Sequence, residues 1–567
     1  MCDTSATRVN AETNADILIV GAGPTGLALC AQLCSFGIRA RLIDRSLDRA
    51  HESRALGVQA RTLELLQRIG LGDALVARGN PSARVMLHVE GRVVGEAELG
   101  AFGGSDTKYP FVLFVSQAET EQLLGGHLGS QGVTIERGVE LVSFAPNVDG
   151  VDGVLRHRDG RTEAVHVRYL VGCDGAHSTV RKGAGIAFEG DAYLQDFLLG
   201  DVEADAIPDV SFVPNTLHPC VGRHGIAIFF PLGKPTTWRV IAMSGGAATA
   251  ARTDVGTVDK PLTSDLSLAE LQTVVDGATG GGVRLRDPAW LAHFHLHHRQ
   301  AAHYRNGPIF LAGDAGHIHS PVGAQGMNTG IQDAWNLGWK LALVVKGLAS
   351  PRLLDSYEAE RWPVGRTLLR YTDRLFSALV RSLSDNAVAS WLRRTVAANV
   401  LPGVLNSTRL RASGFRFISE LGIRYRRSPA VAEAEPRLRT GPRAGDRFPD
   451  AHLTLDGKTV RLQEAVVGSC LTLVLCGDWD LSNTERLAEH PACRNGLLRI
   501  KRLTRHSERG ALVDTTGEAF ARLGVDDAAQ YLVRPDGYVG FRCAGQAFGP
   551  LESYLAEWYA PMQSANH

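Results

Sequence analysis

DILIVGAGPTGLALCAQLCSFGIRARLID, residues 16–44, sets the architecture. Asp16 to Val20 is a short apolar run of strand type, Leu27 to Phe36 reads as a helix, and Arg39 to Ile43 reads as a second strand. A helical crossover of this length joins parallel strands. Between the first strand and the helix stand Gly21, Gly23, Pro24, Thr25 and Gly26. Gly21 permits a tight turn, Gly23 lets the backbone approach a pyrophosphate, and Gly26 lets the helix pack close on the sheet. Free N–H groups and the positive end of the helix then face the phosphates. Asp44, at the end of the second strand, is placed to accept hydrogen bonds from an adenosine ribose. Arg45 beside it also reads as a contact to the extra phosphate of NADP. The unit by itself does not separate NAD from FAD.

Two later segments turn the reading away from a simple dehydrogenase. VGCDGAHSTVR, residues 171–181, places Asp174 and Gly175 after a strand and Arg181 shortly beyond. LAGDAGH, residues 311–317, follows the apolar run Pro308 to Ala312, so Asp314 projects from a strand end, where α/β folds gather their ligands. A carboxylate there can hold ribityl hydroxyls. The following loop, Pro321 to Asn328, contains Gly323, Gly326 and Met327 and feeds a long helical pattern, Asn328 to Val345. Its amides can face the pyrimidine edge of a flavin, where negative charge gathers on reduction.

In this order and spacing the three segments resemble the FAD-dependent aromatic hydroxylases with the para-hydroxybenzoate hydroxylase fold. The resemblance covers residues 14 to about 370 and carries "GAGPTG", "CDGAHSTVRK" and "GDAGHIHSPVGAQGMNTGIQDAWNLGWKL". The trailing domain looks closer to the phenol-hydroxylase and polyketide-hydroxylase branch. The resemblance implies a Rossmann-like FAD-binding domain with an inserted β-sheet substrate domain, a helical segment and a thioredoxin-like C-terminal domain. It further implies that Arg54 contacts the flavin pyrophosphate, that Gln117 lies near the ribityl chain, and that the Pro321 carbonyl lies beside the reactive flavin carbon. Asp174 and Arg181 fall in the motif that touches FAD and the region where the nicotinamide arrives, although Arg181 reads equally as a structural ion pair. The implied activity is a monooxygenase: NAD(P)H, with NADPH favoured, reduces FAD, and O2 is delivered through a flavin hydroperoxide to a phenolic or polyketide-type ring. A Baeyer–Villiger or epoxidising enzyme, and an FAD-carrying protein that only shelters a reactive intermediate, remain open alternatives.

The domains are expected at 14–190 and 301–427 for FAD binding plus a helical segment, 191–300 for the substrate sheet, 428–445 for a linker rich in Pro, Arg, Ala and Gly, and 446–567 for the thioredoxin-like domain. The chain has 567 residues, enough for more than one core, and 62 glycines against a usual fraction of about 7%. Lys plus Arg and Asp plus Glu each number 60, so no field of one sign attracts nucleic acid or an anionic membrane. No run of apolar residues is long enough to span a bilayer, and Met1 to Ala15 lacks the pattern of a secretory signal. A cytoplasmic setting, an aromatic small-molecule partner and an optional homodimer are the expectations. The nine cysteines show no C-x-x-C pair, so redox activity does not carry over to the last domain, and Cys30 and Cys34 read as packing residues. Phe229, Phe230 and Pro231, in an apolar strand of the inserted sheet, are candidates for the substrate wall. His293, His295 and His297 read as one face of a strand rather than a metal set; His317 and His319 as structural groups; Trp335 and Trp339 as helix packing.

Overall fold

The computed structural model describes residues 15–49, 56–81, 84–98, 106–206, 212–222, 224–232, 237–244, 266–318, 325–382 and 414–559. Ile17–Val20, all four residues buried, pairs in parallel with Ala40–Asp44 on one side and Tyr169–Gly172 on the other. Ile309–Leu311 continues the parallel set beyond Tyr169–Gly172, and Ile135–Arg137 extends it beyond Ala40–Asp44. A short antiparallel strand, Arg305–Asn306, completes a six-stranded sheet. The chain thus leaves this sheet after Gly172 and returns at Arg305, which brings Ile309–Leu311 beside Tyr169–Gly172 from a distant segment. Helices Pro24–Ser35 and Gly326–Val345 pack together over the sheet, and nearly every residue of the second is buried. Gln32 of the first donates to the Trp335 carbonyl of the second at 2.9 Å. Trp335 and Trp339 are both buried, as expected of helix-packing residues.

An eight-stranded sheet forms the second layer. Its longest strands form an antiparallel pair, Phe188–Ala206 with Val283–Ala301, followed in order by Trp238–Ser244, Gly225–Pro231 and Thr216–Val221. Arg84–Val89 and Arg92–Glu98 add to its edge, so two strands from before the expected boundary at 190/191 belong to it. Thr216–Val221 would otherwise be an edge strand, and a hairpin far upstream in sequence supplies its second hydrogen-bonding neighbour. Leu268–Thr279, with a Ser267–Glu270 capping box, covers one face of this sheet. Among the described residues no His/Cys/Asp/Glu group could hold a metal; the side chains of His295 and His297, and His319 altogether, lie outside them.

The C-terminal part is a third, eight-stranded sheet. Leu471–Cys476 and Leu498–Thr504 run parallel, Ala529–Val533 and Val539–Ala544 run antiparallel beside them, and Gly549–Tyr559 closes as a helix. This is the strand pattern of a thioredoxin-like fold. The stretch expected as a linker, 428–445, is packed rather than spanning free space. Ala432–Glu433 adds an edge strand to Val539–Ala544, and Glu433 is ion-paired to Arg542 at 2.8 Å. A composition rich in Pro and Arg marks irregular backbone, which can be packed as well as loose.

Candidate functional site

The turn after the first strand shows why its glycines differ. Gly21 has φ of +104°, and a Cβ there would lie 2.4 Å from the Cys173 carbonyl oxygen. At Gly26 a Cβ would meet the Gly21 oxygen at 1.9 Å. Gly23, by contrast, has nothing within 4 Å of where a Cβ would stand. Two glycines are therefore demanded by the protein's own packing, and the third keeps an approach open. The helix that follows starts with Pro24 and carries neither a side-chain cap nor an acid in its first turn, leaving its end suited to an anion. Thr25 has a different job, since Cβ atoms at Gly313 and Gly330 would each fall about 2.5 Å or less from its hydroxyl. It is the spacer on which the first turn, the Asp314 turn and the long helix meet.

Asp44 accepts from the Ala22 amide at 2.6 Å and from the Ser46 amide at 2.7 Å, so its carboxylate is held at the mouth of the turn. Arg137, on the neighbouring strand and in register with Asp44, stands 3.4 Å from that carboxylate and from the Ala22 carbonyl. Nothing in the sequence marked Arg137, because the pairing that delivers it joins strands nearly a hundred residues apart. Arg45 is exposed beside Asp44.

The second segment follows strand Tyr169–Gly172. Asp174 accepts from the amides of Thr179 at 2.6 Å and Val180 at 3.1 Å through one oxygen. Its other oxygen is buried with no hydrogen-bond partner among the described residues. Burial raises its pKa against the pull of those hydrogen bonds. Arg181 is neither open nor ion-paired in these contacts: it donates to the carbonyls of Ala315 at 3.0 Å and Ala176 at 2.9 Å and lies 3.8 Å over the Phe188 ring. It ties the Asp174 segment to the Asp314 turn.

The third segment turns at Gly313, with φ of +62°, and holds Asp314 on an exposed corner. Asp333, seven residues into the long helix and fully buried, fixes that corner. One of its oxygens accepts from the Gly313 amide at 3.0 Å and from His317 at 2.6 Å, and the other accepts from Arg361 at 2.6 Å. Desolvation opposes its charge, yet Arg361 and His317 outweigh it and hold the pKa below the ordinary value. Arg361 also donates to the Thr329 carbonyl and to Tyr425. His317 is thus a buried structural group, as its sequence context suggested.

At the start of the long helix Gly326 and Met327 are half-buried. The Asn328 side chain is committed to structure: it accepts from the Gln59 amide and donates to the Gly57 carbonyl, both at 2.8 Å. Behind the same turns lies Glu420, fully buried, accepting from Thr329 at 3.2 Å and from Gln332. Desolvation pushes its pKa up to about 8. Gln117 opens helix Gln117–Ser130 and donates to Glu121 at 2.8 Å. Arg54 and Pro321 lie outside the described residues.

The three aromatic-strand candidates divide between two faces. Phe229 is fully buried in the core under helix Leu268–Thr279, with Phe212 and Trp238 around it. Strand alternation puts Pro231 on that side too, so neither belongs to an open wall. Phe230 is on the other face, 6.0 Å from Phe114 and packed with Val112 and Leu217. Phe114 belongs to the strand paired with Gly57–Val58, the segment clasped by Asn328. Only Phe230 therefore faces the nucleotide-binding layer.

An open approach at Gly23, an uncapped helix end, carboxylates at Asp44 and Asp314, and an orphaned buried oxygen on Asp174 suit an elongated ligand with phosphates at its middle and hydroxyls on either side. That is the chemistry of FAD, and the residues present fit it.

Comparison with known proteins agrees. A family model described as an FAD binding domain matches residues 14–372, and one described as the C-terminal domain of aromatic-ring hydroxylases matches residues 441–561. The chain is 37% identical over 544 residues to the 6-methylpretetramide 4-monooxygenase of Streptomyces rimosus, covering 94% of this chain and 91% of that one. Among solved structures it is similar to the anhydrotetracycline hydroxylase OxyS from Streptomyces rimosus, at 30% identity and a TM-score of 0.73, covering 96% and 99% of the two chains. It is also similar to the Diels-Alderase PyrE3 of pyrroindomycin biosynthesis, at 27% identity and a TM-score of 0.68, covering 96% and 100%. Taken with the three converging segments, these matches establish that the chain belongs to the FAD-dependent aromatic-ring hydroxylases, a family of flavoprotein monooxygenases.

Proposed function

We propose that this chain hydroxylates a phenol-bearing, polyketide-type aromatic, with FAD laid across the strand ends, NAD(P)H as a transient donor and O2 as co-substrate. The observation that carries the reading is convergence: Gly21, Asp174 and Asp314 follow three adjacent parallel strands, Ile17–Val20, Tyr169–Gly172 and Ile309–Leu311. Ligands of such sheets bind outside the carboxyl ends of the strands. The names of the relatives support the substrate class.

FAD supplies the redox chemistry that lets one oxygen atom reach an aromatic carbon. The chain's residues bind, orient and shield. Backbone amides at Gly23, Pro24's neighbours and Gly26 take the pyrophosphate, with Arg54 as a further contact. Asp44 and Arg137 hold the adenosine end, Asp314 the ribityl chain with Gln117 near it, and Asp174 stands between them. The amides of Gly326, Met327 and Asn328, with Pro321, border the isoalloxazine. Phe230 and Phe114 exclude water on the sheet side, which protects a reactive oxygen donor from wasteful breakdown. The assignment divides the chain into FAD-binding segments 14–190 and 301–427, a substrate sheet centred on 191–300 and a thioredoxin-like part from 446, in a cytoplasmic protein free to dimerise. No helix among the described residues is long and apolar enough to cross a membrane.

The test is NAD(P)H oxidation by the flavin-loaded protein with a panel of phenols and polycyclic quinones. A substrate should accelerate oxidation at least tenfold and gain one oxygen on an unchanged carbon skeleton. The likeness to a Diels-Alderase favours one second reading, a sheltering scaffold: it binds FAD and its substrate, but oxidation stays slow whatever is added. Oxygen inserted into the ring would identify the Baeyer–Villiger alternative.

A further inference from the structure

One of the contacts by which the C-terminal part reaches the nucleotide-binding layer is the turn Arg534-Pro535-Asp536-Gly537. Arg534 donates to both carboxylate oxygens of Glu360, at 2.7 and 2.8 Å, and to Asp536 at 3.0 Å. Glu360 also accepts from Lys340 at 2.9 Å, Asn336 at 2.6 Å and Ser428 at 2.7 Å. Arg534, Lys340, Glu360 and Asp536 have side chains at most 3% exposed. Two positive and two negative groups thus balance away from water, where each needs the others. Lys340 and Asn336 belong to the long helix Gly326–Val345, and the Arg534 guanidinium lies 5.1 Å over Trp339 of the same helix.

The same turn grips a second helix. Arg61 donates to the Asp536 carbonyl and Arg68 to the Pro535 carbonyl. Gly537, with φ of +76°, leaves room for Arg68, whose guanidinium would clash with a Cβ there at 2.1 Å. Arg61 sits at the start of helix Ala60–Gln67 and Arg68 caps its end. The two gripped helices share a second junction at their beginnings, the Asn328 clasp on Gly57 and Gln59. From Asn336 to Asn328 is eight residues, about 12 Å of rigid helix.

We infer that the Arg534–Gly537 turn is a positioning element of the flavin site: by gripping both helices at once it sets their register and so holds the Asn328 clasp that borders the cofactor. The thioredoxin-like part then acts as a brace and needs no cysteine chemistry. This rests on the reading of that site as the FAD site.

The full-length flavin-free protein provides the test, through hydrogen exchange at the Gln59 and Thr329 amides and FAD titration by fluorescence quenching. Arg534→Met should speed exchange at both amides and weaken FAD binding, each at least tenfold, and Arg534→Lys should recover part of both. Asp536→Asn, nearly isosteric, carries the same expectation if Arg534→Met does not fold. Arg502→Met, which breaks an ion pair with Glu508 elsewhere in the C-terminal sheet, should change neither. Unchanged exchange at both amides overturns the inference whatever happens to the flavin. Faster exchange with unaltered FAD affinity overturns the link to the cofactor. If the parent protein binds no FAD while the variant still exchanges faster, the brace stands and the FAD reading of the site falls.

Discussion

Individual glycines in the first turn have separable costs. Gly21→Ala would drive a Cβ into the Cys173 carbonyl at a backbone angle that L-residues avoid, so it should destabilise the fold by about 3 kcal/mol or prevent folding. Gly23→Ala meets only open space, so the flavin-free protein should keep its unfolding midpoint while FAD affinity falls roughly tenfold. Paired denaturation and flavin titration distinguish the two; equal losses of stability would overturn the assignment of Gly23 to the pyrophosphate approach. Asp314 belongs at the same scale. It is exposed at a corner that Asp333 holds rigid, so Asp314→Ala should lower flavin occupancy while leaving the flavin-free fold intact.

At the scale of the element, the helix Gly326–Val345 is unusual in burying polar groups along most of its length. Asn328, Gln332, Asp333, Asn336 and Lys340 each meet a specific partner, and Glu420 lies against its first turns. Because Glu420 has its pKa raised from 4.5 to about 8, the folded state holds the proton more tightly than the unfolded one between those values. Its contribution is therefore complete below pH 4.5 and declines as pH rises through 8. Glu420→Gln should match the parent's thermal midpoint near pH 5 and exceed it by roughly 5 °C near pH 8.5. A difference that does not grow with pH would show that Glu420 is not a buried proton holder.

At the scale of the whole molecule, buried arginines join the C-terminal part to the nucleotide-binding layer alongside an apolar core that the two share. Arg447 of the C-terminal part is ion-paired with Glu64 and hydrogen-bonded to the Asp106 backbone carbonyl. Burial works against the Glu64 charge, but Arg447, Arg61 and Thr107 prevail and hold its pKa at about 2. A depressed carboxylate contributes stability above its unfolded value near 4.5 and loses it as pH falls toward 2. The shift corresponds to about 3 kcal/mol at neutral pH. Glu64→Gln should lose this and flatten the acid side of the stability curve between pH 4.5 and 2; an unchanged acid slope would remove Glu64 from the junction. Glu360 is shifted in the same direction by Arg534 and Lys340, against its own desolvation, so acid should loosen both junctions together.

The sequence by itself determined the nucleotide-binding turn, the three motif segments and the return of the chain to the first sheet. Glycine at a forced angle, an apolar strand and an acid at a strand end are local requirements, and local requirements leave local patterns. Only the tertiary structure decided which side of a strand faces the nucleotide-binding layer. In the strand 225–231 both faces are apolar, so alternation separates Phe229 from Phe230 without saying which is core. It also decided the partners of Asp333, Glu420 and Arg534, because a buried ion pair such as Arg534–Glu360, separated by 174 residues, joins charges that look like any others along the chain. The physical reason is that desolvated charges are paid for by contacts distant in sequence, and no spacing rule records those contacts.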